Sequence, residues 1–504
     1  MSRRPRSAPK PGLQQRPFAE VRNPYRPMEV ISADLVEVIH EKSLIVLRDI
    51  GLKVDSDVAL ALLRAAGADV DPASRRVRFD PAMVEEMLTG IPSGFTIHAR
   101  NPDKTVYVGG NSLTFATVCG PSFVSDLDRG RRAGTLEDVR NFVKLSASLN
   151  IFHHEGGAGC EPLELPPETR HLDMMLAQTT LCDKGWQPCW MNTAARARDC
   201  IEMAKIALQT DDEGLRARPG ILGGVNTNSP LLFDDGQAEA VIEFARAGQP
   251  VHITPFTLAG AMSPVTIGGS LVQQNAEALA GIVLGQVACR GAPVFYGHFT
   301  SNVDMKTGAP AFGTPEYAKS VIASGQLARR YGIPIRSSNT TASACVDLQA
   351  TYESDMSVMA CIQGHINVMM HAGGWLEGGL TCSFEKLILD AEILQMQAAF
   401  LDPLDLSDDA IGMEAIAEVG ATGHFFGAAH TLARYKTAFY QPMLSDGRNY
   451  ENWRDNGSVT ATERANTIWK DLLAAYEKPP IDPAVEEELQ AYVARCKESI
   501  GTSA

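Results

Sequence analysis

The sequence predicts an α/β protein whose central unit is a (β/α)₈ barrel of the TIM type. From about residue 113, a short β-rich apolar run, a loop rich in Gly, Pro and Asn, and a helix of roughly four turns follow one another in eight consecutive units. The starts of the predicted strands recur every 30 to 43 residues, which is the spacing of a βα unit. Eight units match a closed barrel better than a doubly wound open sheet, which usually stops at roughly five to seven strands.

Each unit has a predicted position. The strands are predicted at 113–118, 151–155, 186–191, 220–225, 250–255, 293–298, 333–338 and 367–371. The helices are predicted at about 135–149, 168–182, 195–209, 234–247, 270–289, 314–330, 347–364 and 384–402. Thr135 and Asp138 have the spacing of a capping box at the start of the first helix. The first strand is the least distinct, because hairpin-like β runs precede it.

Three segments flank the predicted barrel at 113–405. Residues 1–30 carry Arg and Pro without an apolar core, which predicts a disordered tail rather than a signal peptide. Residues 31–112 combine helical apolar spacing with short β-like runs, which predicts an N-terminal helical and β cap. Residues 406–504 predict a C-terminal helical extension that packs on the outside of the barrel.

Charge and composition exclude several classes of partner. A net charge of −15 and a pI near 5.3 argue against nucleic-acid binding, which needs clustered Lys and Arg. The most apolar stretch, 276–296, is interrupted by charged residues and a proline, so it predicts a buried helix and strand rather than a membrane span. The ten cysteines are scattered without a CxxC pair, which predicts reduced thiols in a cytoplasmic protein.

Barrel enzymes carry their reactive groups at the C-terminal ends of the strands and in the loops that follow. This rule selects His153, His154, Glu155, Trp190, Asn192, Asn226, Asn228, Thr254, Phe256, Tyr296, His298, Phe299, Ser337, Asn339, His371, Trp375 and Glu377. The set is rich in aromatic and amide side chains and poor in cations, which suits a small cationic ligand. For Trp190, Phe256 and Phe299, simple core packing is the alternative.

Nucleotide and metal sites are not expected. The glycine runs at 156–159 and 373–374 lack the dinucleotide fingerprint, and no phosphate-binding P-loop motif occurs. His153, His154 and Glu155 could form part of a metal site, but adjacent strand residues point to opposite faces. We therefore interpret these two histidines as one packed and one solvated residue.

Trp375 is the most informative aromatic residue. It lies in a loop between the glycine pairs 373–374 and 378–379, where a large ring has little reason to be unless it covers a pocket. His371, at the end of the last strand, and Glu377 are near enough to share that pocket, although His371 also fits a core histidine.

Several blocks of the sequence resemble the trimethylamine methyltransferase family. The segment HAGGWLEGGLTCSFEKLILDAEIL at 371–394 is similar to a signature stretch of that family. Further similar blocks lie at 99–102, 125–132, 259–281, 291–297, 347–354 and 423–427. The likeness runs from about residue 30 to residue 480.

The resemblance implies a barrel enzyme that demethylates methylated amines and passes the methyl group to Co(I) of a corrinoid carried by a separate protein. The family's archetype uses trimethylamine and a pyrrolysine, whereas this chain has only standard residues, as do family members that use glycine betaine and related quaternary amines. A quaternary nitrogen leaves as a neutral tertiary amine, so it needs no acid from the protein. The chain also lacks the cobalamin-holding D-x-H-x-x-G motif, so we expect the corrinoid to arrive on a partner protein. We also expect the chain to form a homo-oligomer.

The resemblance also implies roles for particular residues. We expect His371 and Glu377 to be catalytic, with His371 facing the cobalt or the substrate. We expect the ammonium head of a betaine to contact the rings of Trp375, Tyr296 and Phe256 and the negative charge of Glu377 or Glu353. We expect its carboxylate to accept hydrogen bonds from Asn339, Asn228, His298 or Gln349. Gln349 and Glu353 also fit ordinary positions at the start of a helix opened by Asp347.

Three alternative functions remain open from the sequence. A trimethylamine-type substrate and tetrahydrofolate as a direct methyl acceptor both keep the enzyme class. A betaine-binding protein without catalysis is the third.

Overall fold

The computed structural model describes residues 13–189 and 191–501 and contains the predicted (β/α)₈ barrel. Its strands, β1 to β8, are Ser112–Thr117, His154–Glu155, Gly185–Trp186, Gly223–Val225, Val251–Ile253, Val294–Gly297, Ile335–Ser338 and Val368–Gly373. The following helices, α1 to α8, are Leu136–Ser148, Arg170–Leu181, Ala194–Leu208, Asp235–Arg246, Ile267–Ala288, Pro315–Tyr331, Leu348–Gln363 and Phe384–Phe400. The predicted capping box of Thr135 and Asp138 is confirmed at α1.

The strands form one parallel ring in the order β3-β2-β1-β8-β7-β6-β5-β4. A parallel bridge between Trp186 and Ile221 joins the two ends, and the N–H of Leu222 donates to the carbonyl of Trp186 at 2.9 Å. The ring is therefore closed, which excludes the doubly wound sheet. Several strands are shorter than predicted because the pairing ends where the chains diverge towards the loops.

The N-terminal end of the barrel is closed by an apolar plug. The hairpin Gly94–Ile97 and Val106–Gly109 lies across this end, and the ring of Phe95 lies 5.1 Å from that of Phe295. The plug and the lower barrel interior form one buried cluster: Phe95, Ile97, Val106, Val108, Ala116, Leu222, Phe295, Val368 and Met370. Above this layer the interior side chains become polar, so the reactive end of the barrel is the C-terminal end.

The N-terminal cap covers the outside of α5 and α6. Its helices are Ala33–Ile45, with a π turn at Val46–Ile50, then Asp57–Ala65 and Pro81–Leu88, and its strands are Leu52–Val54, Asp69–Asp71 and Arg76–Arg78. The hydroxyl of Ser43 donates to the carbonyl of Val272 at 2.9 Å, which ties the first helix to α5. Strand Leu232–Phe233 pairs in parallel with Leu52–Val54 and joins the cap to the barrel.

The predicted disordered tail is wrong for its second half. Residues 13–30 run along the N-terminal end of the barrel, where Val21–Arg22 pairs antiparallel with β1. The amide of Asn23 donates to the carbonyl of Ile362 at 2.8 Å. These backbone pairings give a polar segment enough partners to remain ordered, whereas residues 1–12 lie outside the described part of the chain.

Small sheets surround the C-terminal end of the barrel. One contains Phe256–Ala259, Phe299–Val303 and Pro310–Ala311, and the other contains Trp375–Leu376, Thr381–Ser383, Phe123–Asp126 and Gly130–Ala133. A short helix, Asp212–Ala217, precedes β4, and 3-10 turns occur at Pro102–Lys104 and Glu377–Gly379.

The C-terminal extension packs on the barrel from Met443 onwards, where the N–H groups of Met443 and Leu444 donate to Glu392 of α8. Helix Ala461–Ala474 lies on α8 and α1, where Trp469 stacks on Phe384 at 4.9 Å. Helix Pro483–Gly501 lies against α2 and α3. The earlier elements of the extension are Asp408–Ile411, Met413–Val419, Phe425–Gly427, Ala429–Arg434 and Tyr450–Asp455.

Between Leu401 and Gln441 the extension is almost wholly exposed, so the expectation that it packs on the barrel throughout is wrong there. None of the helices in the described part of the chain combines the length and the apolarity that a bilayer crossing requires.

Candidate active site

Four aromatic rings meet above the C-terminal ends of the strands. Phe256 and Phe299 each begin a strand that continues beyond β5 or β6, and Phe312 and Trp375 follow from neighbouring loops. The ring centroids lie 5.2 Å apart for Phe256 and Phe299, and 5.4 Å apart for Phe299 and Phe312. Trp375 stands edge-on to Phe312 at 6.0 Å. We call these four residues the aromatic cluster; Phe256 is half-buried, and the other three are buried.

His371 lies beside this cluster in a strained part of β8. The register of β8 shifts between Met369 and Gly373, and His371 has a left-handed φ of 52°. A non-glycine residue in this conformation stores strain, a feature that clusters at functional sites. Its ring lies 4.4 Å from that of Trp375, and its Nδ1 lies 3.0 Å from the hydroxyl of Ser338. The bulge therefore turns His371 towards the aromatic cluster.

The loop that carries Trp375 is held from two sides. The indole N–H donates to the carbonyl of Thr341 at 3.2 Å. From below, the carboxylate of Asp390 accepts the N–H of Gly374 at 2.8 Å and forms a fully buried ion pair with Lys386. The ring of Trp375 is thus fixed in place rather than free to move with the loop.

A buried cation, Arg336, lies under the aromatic cluster. Arg336 is on β7 and is 4% exposed, and its guanidinium carbon lies 5.2 Å from the centroid of Phe299. One terminal nitrogen donates to the carbonyl of His298 at 3.1 Å, whereas its Nε has no hydrogen-bond partner in the described chain. No described Asp or Glu forms an ion pair with it. A buried guanidinium without an anion is unfavourable, and a negative group beside it would compensate its charge.

Arg336 also determines the charge of its neighbours. Burial, and then the charge of Arg336, hold the pKa of His371 and of His252 well below the usual value for histidine. Burial lowers the pKa of Arg336 to about 10, so the guanidinium stays protonated at neutral pH. The two histidines are therefore neutral, and Arg336 supplies a positive charge to this part of the site.

Several other buried polar atoms lack hydrogen-bond partners within the described residues. The atoms are Oε1 of Gln187, Oγ1 of Thr300, Oδ1 of Asn339 and both ring nitrogens of His154. Buried polar atoms nearly always have a hydrogen-bond partner, either from protein, water or ligand. Gln187, whose amide lies 3.4 Å from the ring of His252, shares the barrel interior with Arg336, so this part of the barrel has free hydrogen-bonding groups for a small polar ligand. His154 lies instead beside the apolar plug, where Gly185 packs against both His154 and Ile97.

The structure separates two predicted site residues from this cluster. The hydroxyl of Tyr296 donates to Asn275 at 2.9 Å and accepts from Gln274 at 3.0 Å, and both partners are on α5. The two ring nitrogens of His298 lie 3.0 Å and 2.9 Å from the hydroxyls of Ser337 and Ser320. Both side chains point outwards between strand and helix, so their predicted substrate contacts are wrong.

The predicted acidic residues are already engaged. Glu353 accepts from the N–H groups of Ala342 and Ser343 at 2.9 Å and 3.1 Å, and Gln349 donates to it at 2.9 Å. Glu353 thus holds the loop after β7, and Gln349 lies exposed on the outer end of α7. Glu353 packs against Gly313, next to Phe312, and its carboxylate accepts from the hydroxyl of Thr341, so it supports the aromatic cluster from behind. The predicted roles of Glu353 and Gln349 in substrate binding stay predictions.

Glu377 forms an ion pair with Arg131 at 2.7 Å. Burial would raise the pKa of Glu377, but hydrogen bonds from Arg131 and Thr381 outweigh it and lower the pKa. The carboxylate is therefore ionised and clamps the Trp375 loop against the strand Gly130–Ala133.

The remaining candidates have mixed positions. Asn339 is buried beside β8, where its amide donates to the carbonyl of Ala372 at 3.1 Å, and Asn228 is exposed on the loop after β4. His153 points outwards and His154 inwards, and both are buried, so the interpretation of one of them as solvated is wrong. Glu155 accepts from the N–H of Ala158 at 2.8 Å. Trp190 lies outside the described residues. Within the described chain, no group of three His, Cys, Asp or Glu side chains is arranged to hold a metal ion.

Arg336 and Phe312 are the important residues that the sequence analysis missed. The sequence-based description of the site as poor in cations is wrong at Arg336. A charged residue inside the apolar strand run 333–338 was the available signal, because an arginine there must face the barrel interior or be paired. Phe312 lies in a hairpin between units, and no sequence pattern marked it.

A closed (β/α)₈ barrel with these groups at its C-terminal end has the layout of an enzyme active site for a small molecule. The model of the trimethylamine methyltransferase (MTTB) family matches residues 1–501, and the chain belongs to this family.

Two relatives illustrate the range of the family. The chain is 36% identical over 476 residues to the glycine betaine methyltransferase of Desulfitobacterium hafniense (strain Y51), covering 94% of this chain and 98% of that protein. It is 27% identical over 477 residues to the trimethylamine methyltransferase MttB of Desulfitobacterium hafniense (strain DSM 10664 / DCB-2), covering 92% of this chain and 93% of that protein. The chain is therefore a methyltransferase.

Among solved structures, the Methanosarcina barkeri monomethylamine methyltransferase (MtmB) superposes with a TM-score of 0.49 at 12% identity, covering 90% of this chain and 92% of that chain.

Proposed function

We propose that the enzyme removes a methyl group from glycine betaine, or from a related quaternary amine with a carboxylate, and transfers it to Co(I) of a corrinoid carried by a separate protein. The observation that carries this proposal is the buried, unpaired guanidinium of Arg336 next to the aromatic cluster. A betaine carries a cationic head for the aromatic cluster and a carboxylate for Arg336.

The two ends of a betaine match the two halves of the site. A trimethylammonium head is attracted to the faces of aromatic rings such as Phe256 and Trp375. The carboxylate would form charge-assisted hydrogen bonds with Arg336 and remove the cost of its unpaired charge. Trimethylamine has no anionic group, so it would leave Arg336 uncompensated. The name of the 36% identical relative supports the same substrate class.

The reaction asks little acid or base chemistry of the chain. When the carbon–nitrogen bond of a quaternary ammonium breaks, nitrogen keeps the electron pair and leaves as a neutral tertiary amine. A corrinoid in its Co(I) state supplies the nucleophile for the departing methyl group. The chain's task is then to bind and orient the betaine, which fits a neutral His371 and acidic side chains that are all engaged elsewhere.

The rim of the barrel suits a docking protein. Three apolar side chains on the loops around the C-terminal end, Val265, Met305 and Leu380, are 66%, 70% and 54% exposed. Val265 and Met305 adjoin one another beside Gly260. Exposed apolar residues around a site mark a surface that meets another molecule, and a corrinoid carrier would meet the substrate there.

A single experiment tests this proposal against its alternatives. The purified enzyme is mixed anaerobically with chemically reduced cobalamin and one of glycine betaine, proline betaine, carnitine or trimethylamine. We expect the absorbance spectrum of methylcobalamin, and the demethylated tertiary amine in the mass spectrum, with one or more of the three carboxylate-bearing quaternary amines. We expect neither product with trimethylamine.

Each alternative has its own result. Turnover with trimethylamine but no betaine would contradict the substrate class. In a parallel reaction with tetrahydrofolate in place of cobalamin, the formation of methyltetrahydrofolate would contradict the acceptor. Betaine binding measured by calorimetry without any methylcobalamin would show a binding protein.

A further inference from the structure

Residues 403–439 form an arm that leaves the barrel and folds without a core of its own. The arm contains helices Asp408–Ile411, Met413–Val419 and Ala429–Arg434, yet only Ala415 and Ala428 are buried in it. Its polar contacts are internal, such as Nε2 of His430 with the carbonyl of Asp409 at 3.0 Å and the ion pair of Arg434 with Asp409. No hydrogen bond between described residues ties this arm to the barrel.

The arm exposes an unusual amount of apolar surface. Its exposed large side chains are Leu404, Leu406, Ile411, Met413, Ile416, Phe425, Phe426, Leu432, Tyr435 and Phe439. Leu404 and Phe426 are 85% and 84% exposed. Holding 37 residues in one conformation costs roughly 1 to 2 kcal/mol per residue in backbone entropy, which a segment can offset only by burying apolar surface. The arm therefore requires a partner surface.

A matching apolar face lies on the outside of α7 and α8. Leu348, Tyr352 and Met356 follow one another at intervals of four residues along α7, so they form one exposed stripe. Met396 and Phe400 continue the exposed surface on α8, and Gln397 bonds to Asp355 across the two helices. We call these five apolar residues the α7–α8 face.

We propose that the arm of one copy of this chain packs on the α7–α8 face of a second copy, and that the two copies exchange arms about a two-fold axis. Each copy carries one arm and one face, so a two-fold exchange covers both arms and both faces at once and leaves neither open. This inference is independent of the substrate.

The size of the surface fits a permanent dimer. Ten large apolar side chains, at roughly 100 Å² each, offer on the order of 1,000 Å² per arm. Two arms and the faces they cover reach the range of about 2,000 to 5,000 Å² that obligate homodimers bury. Permanent interfaces are also the ones that are rich in apolar residues.

A second copy fits the arm better than the corrinoid carrier does. A carrier must dissociate in each catalytic cycle, which would leave the arm uncovered between encounters. The arm also begins at the C-terminal end of α8, where a barrel helix reaches the N-terminal end of the strands. The dimer contact thus starts at the end of the barrel opposite the rim formed by Val265, Met305 and Leu380.

The mass of the full-length protein in solution tests the proposal. We expect wild-type protein to sediment as a dimer of 54.3 kDa chains or as an even multiple of it. Phe426→Asp on the arm and Tyr352→Asp on the α7–α8 face should each halve this mass at micromolar concentration, which for a dimer means monomer, because each buries a charge at the interface. Leu35→Asp, a similarly exposed apolar position on the first cap helix, is the matched control and should leave the mass unchanged.

A mixing experiment distinguishes arm-to-face exchange from pairing of the two arms. When the arm variant and the face variant are mixed, one intact arm meets one intact face, so part of the dimer should return. If arms pair with each other, Tyr352→Asp stays dimeric and the mixture regains nothing, which contradicts the proposal. Wild-type protein that is monomeric, with arm amides protected from hydrogen exchange only after the carrier is added, would also overturn it.

Discussion

The guanidinium carbon of Arg336 lies 5.2 Å from the centroid of the Phe299 ring. This contact joins the two parts of the site, because Phe299 belongs to the aromatic cluster and Arg336 is buried without an acidic partner. A ligand that neutralises Arg336 and places a cation among the rings satisfies both at once. The first two predictions follow from this arrangement.

Replacing Arg336 should weaken the binding of glycine betaine without lowering the stability of the protein. In Arg336→Met, glycine betaine should lose at least a hundredfold in affinity, since a buried charged hydrogen-bond pair contributes about 3 kcal/mol or more. The ligand-free variant should unfold at an equal or higher temperature, because an uncompensated buried charge has been removed. Calorimetric titration and thermal melts measure the two effects.

Arg330→Met is the control for that change, because Arg330 forms surface ion pairs with Glu37 and Glu85 far from the barrel interior. It should leave betaine affinity unchanged. A large loss of stability in Arg336→Met would show that the guanidinium serves the fold rather than the ligand.

Trp375 should recognise the charge of the ammonium head and not only its shape. 3,3-Dimethylbutanoate has the shape of glycine betaine but carries an uncharged tert-butyl group in place of the trimethylammonium head. It should bind wild-type enzyme more weakly by about 1 to 2 kcal/mol, the range of a desolvated cation–π contact. In Trp375→Leu this difference should shrink by at least half. In Trp375→Phe, which keeps a ring but loses the bond to Thr341, most of the difference should remain. If the ratio of the affinities for glycine betaine and 3,3-dimethylbutanoate is the same in all three proteins, Trp375 does not contact the ammonium head.

His154 should make the protein less stable in acid. Burial, followed by the charges of His153 and Lys184, lowers the pKa of His154 to about 3. Below pH 6.5 the unfolded chain gains a proton on this residue while the folded chain does not, so stability falls as the pH falls from 6.5 towards 3. His154→Leu should therefore stabilise the protein by about 2 kcal/mol more at pH 5 than at pH 8. A pH-independent effect in denaturant melts would contradict this assignment.

Glu377 should act through Arg131 rather than on the substrate. If the ion pair only holds the Trp375 loop, Glu377→Gln and Arg131→Met should each raise the KM for betaine by a few fold, and the double variant should be no worse than either. Additive losses, with Glu377→Gln much the larger, would instead indicate direct contact between its carboxylate and the ammonium head.

Several features of the fold were predictable because they depend on local patterns. The eight βα units, the capping box at Thr135 and the closed barrel follow from apolar periodicity, turn residues and element spacing. Trp375 was recognisable because a tryptophan between glycine pairs has no local reason to be there. The structure brings it together with Phe256, as the sequence analysis expected.

Which face of a strand a side chain occupies was not predictable. Phe295 points into the barrel and Tyr296 points out, and a shift of one residue in the expected register exchanges them. The bulge in β8 and the left-handed φ of His371 change the alternation again near the site. For this reason Tyr296 and His298 were placed at the substrate, and Arg336 was overlooked.

The sequence alone determined the barrel, its family and the aromatic residues that it carries near the C-terminal ends of the strands, because spacing and residue type act locally along the chain. The tertiary structure decided which charges remain unpaired. The sequence suggests free carboxylates at Glu353 and Glu377, but the structure pairs Glu353 with the N–H of Ser343 and Glu377 with Arg131. Arg336, in contrast, has no acidic partner among the described residues. Whether a buried charge is compensated depends on residues hundreds of positions away, and only folding brings them together.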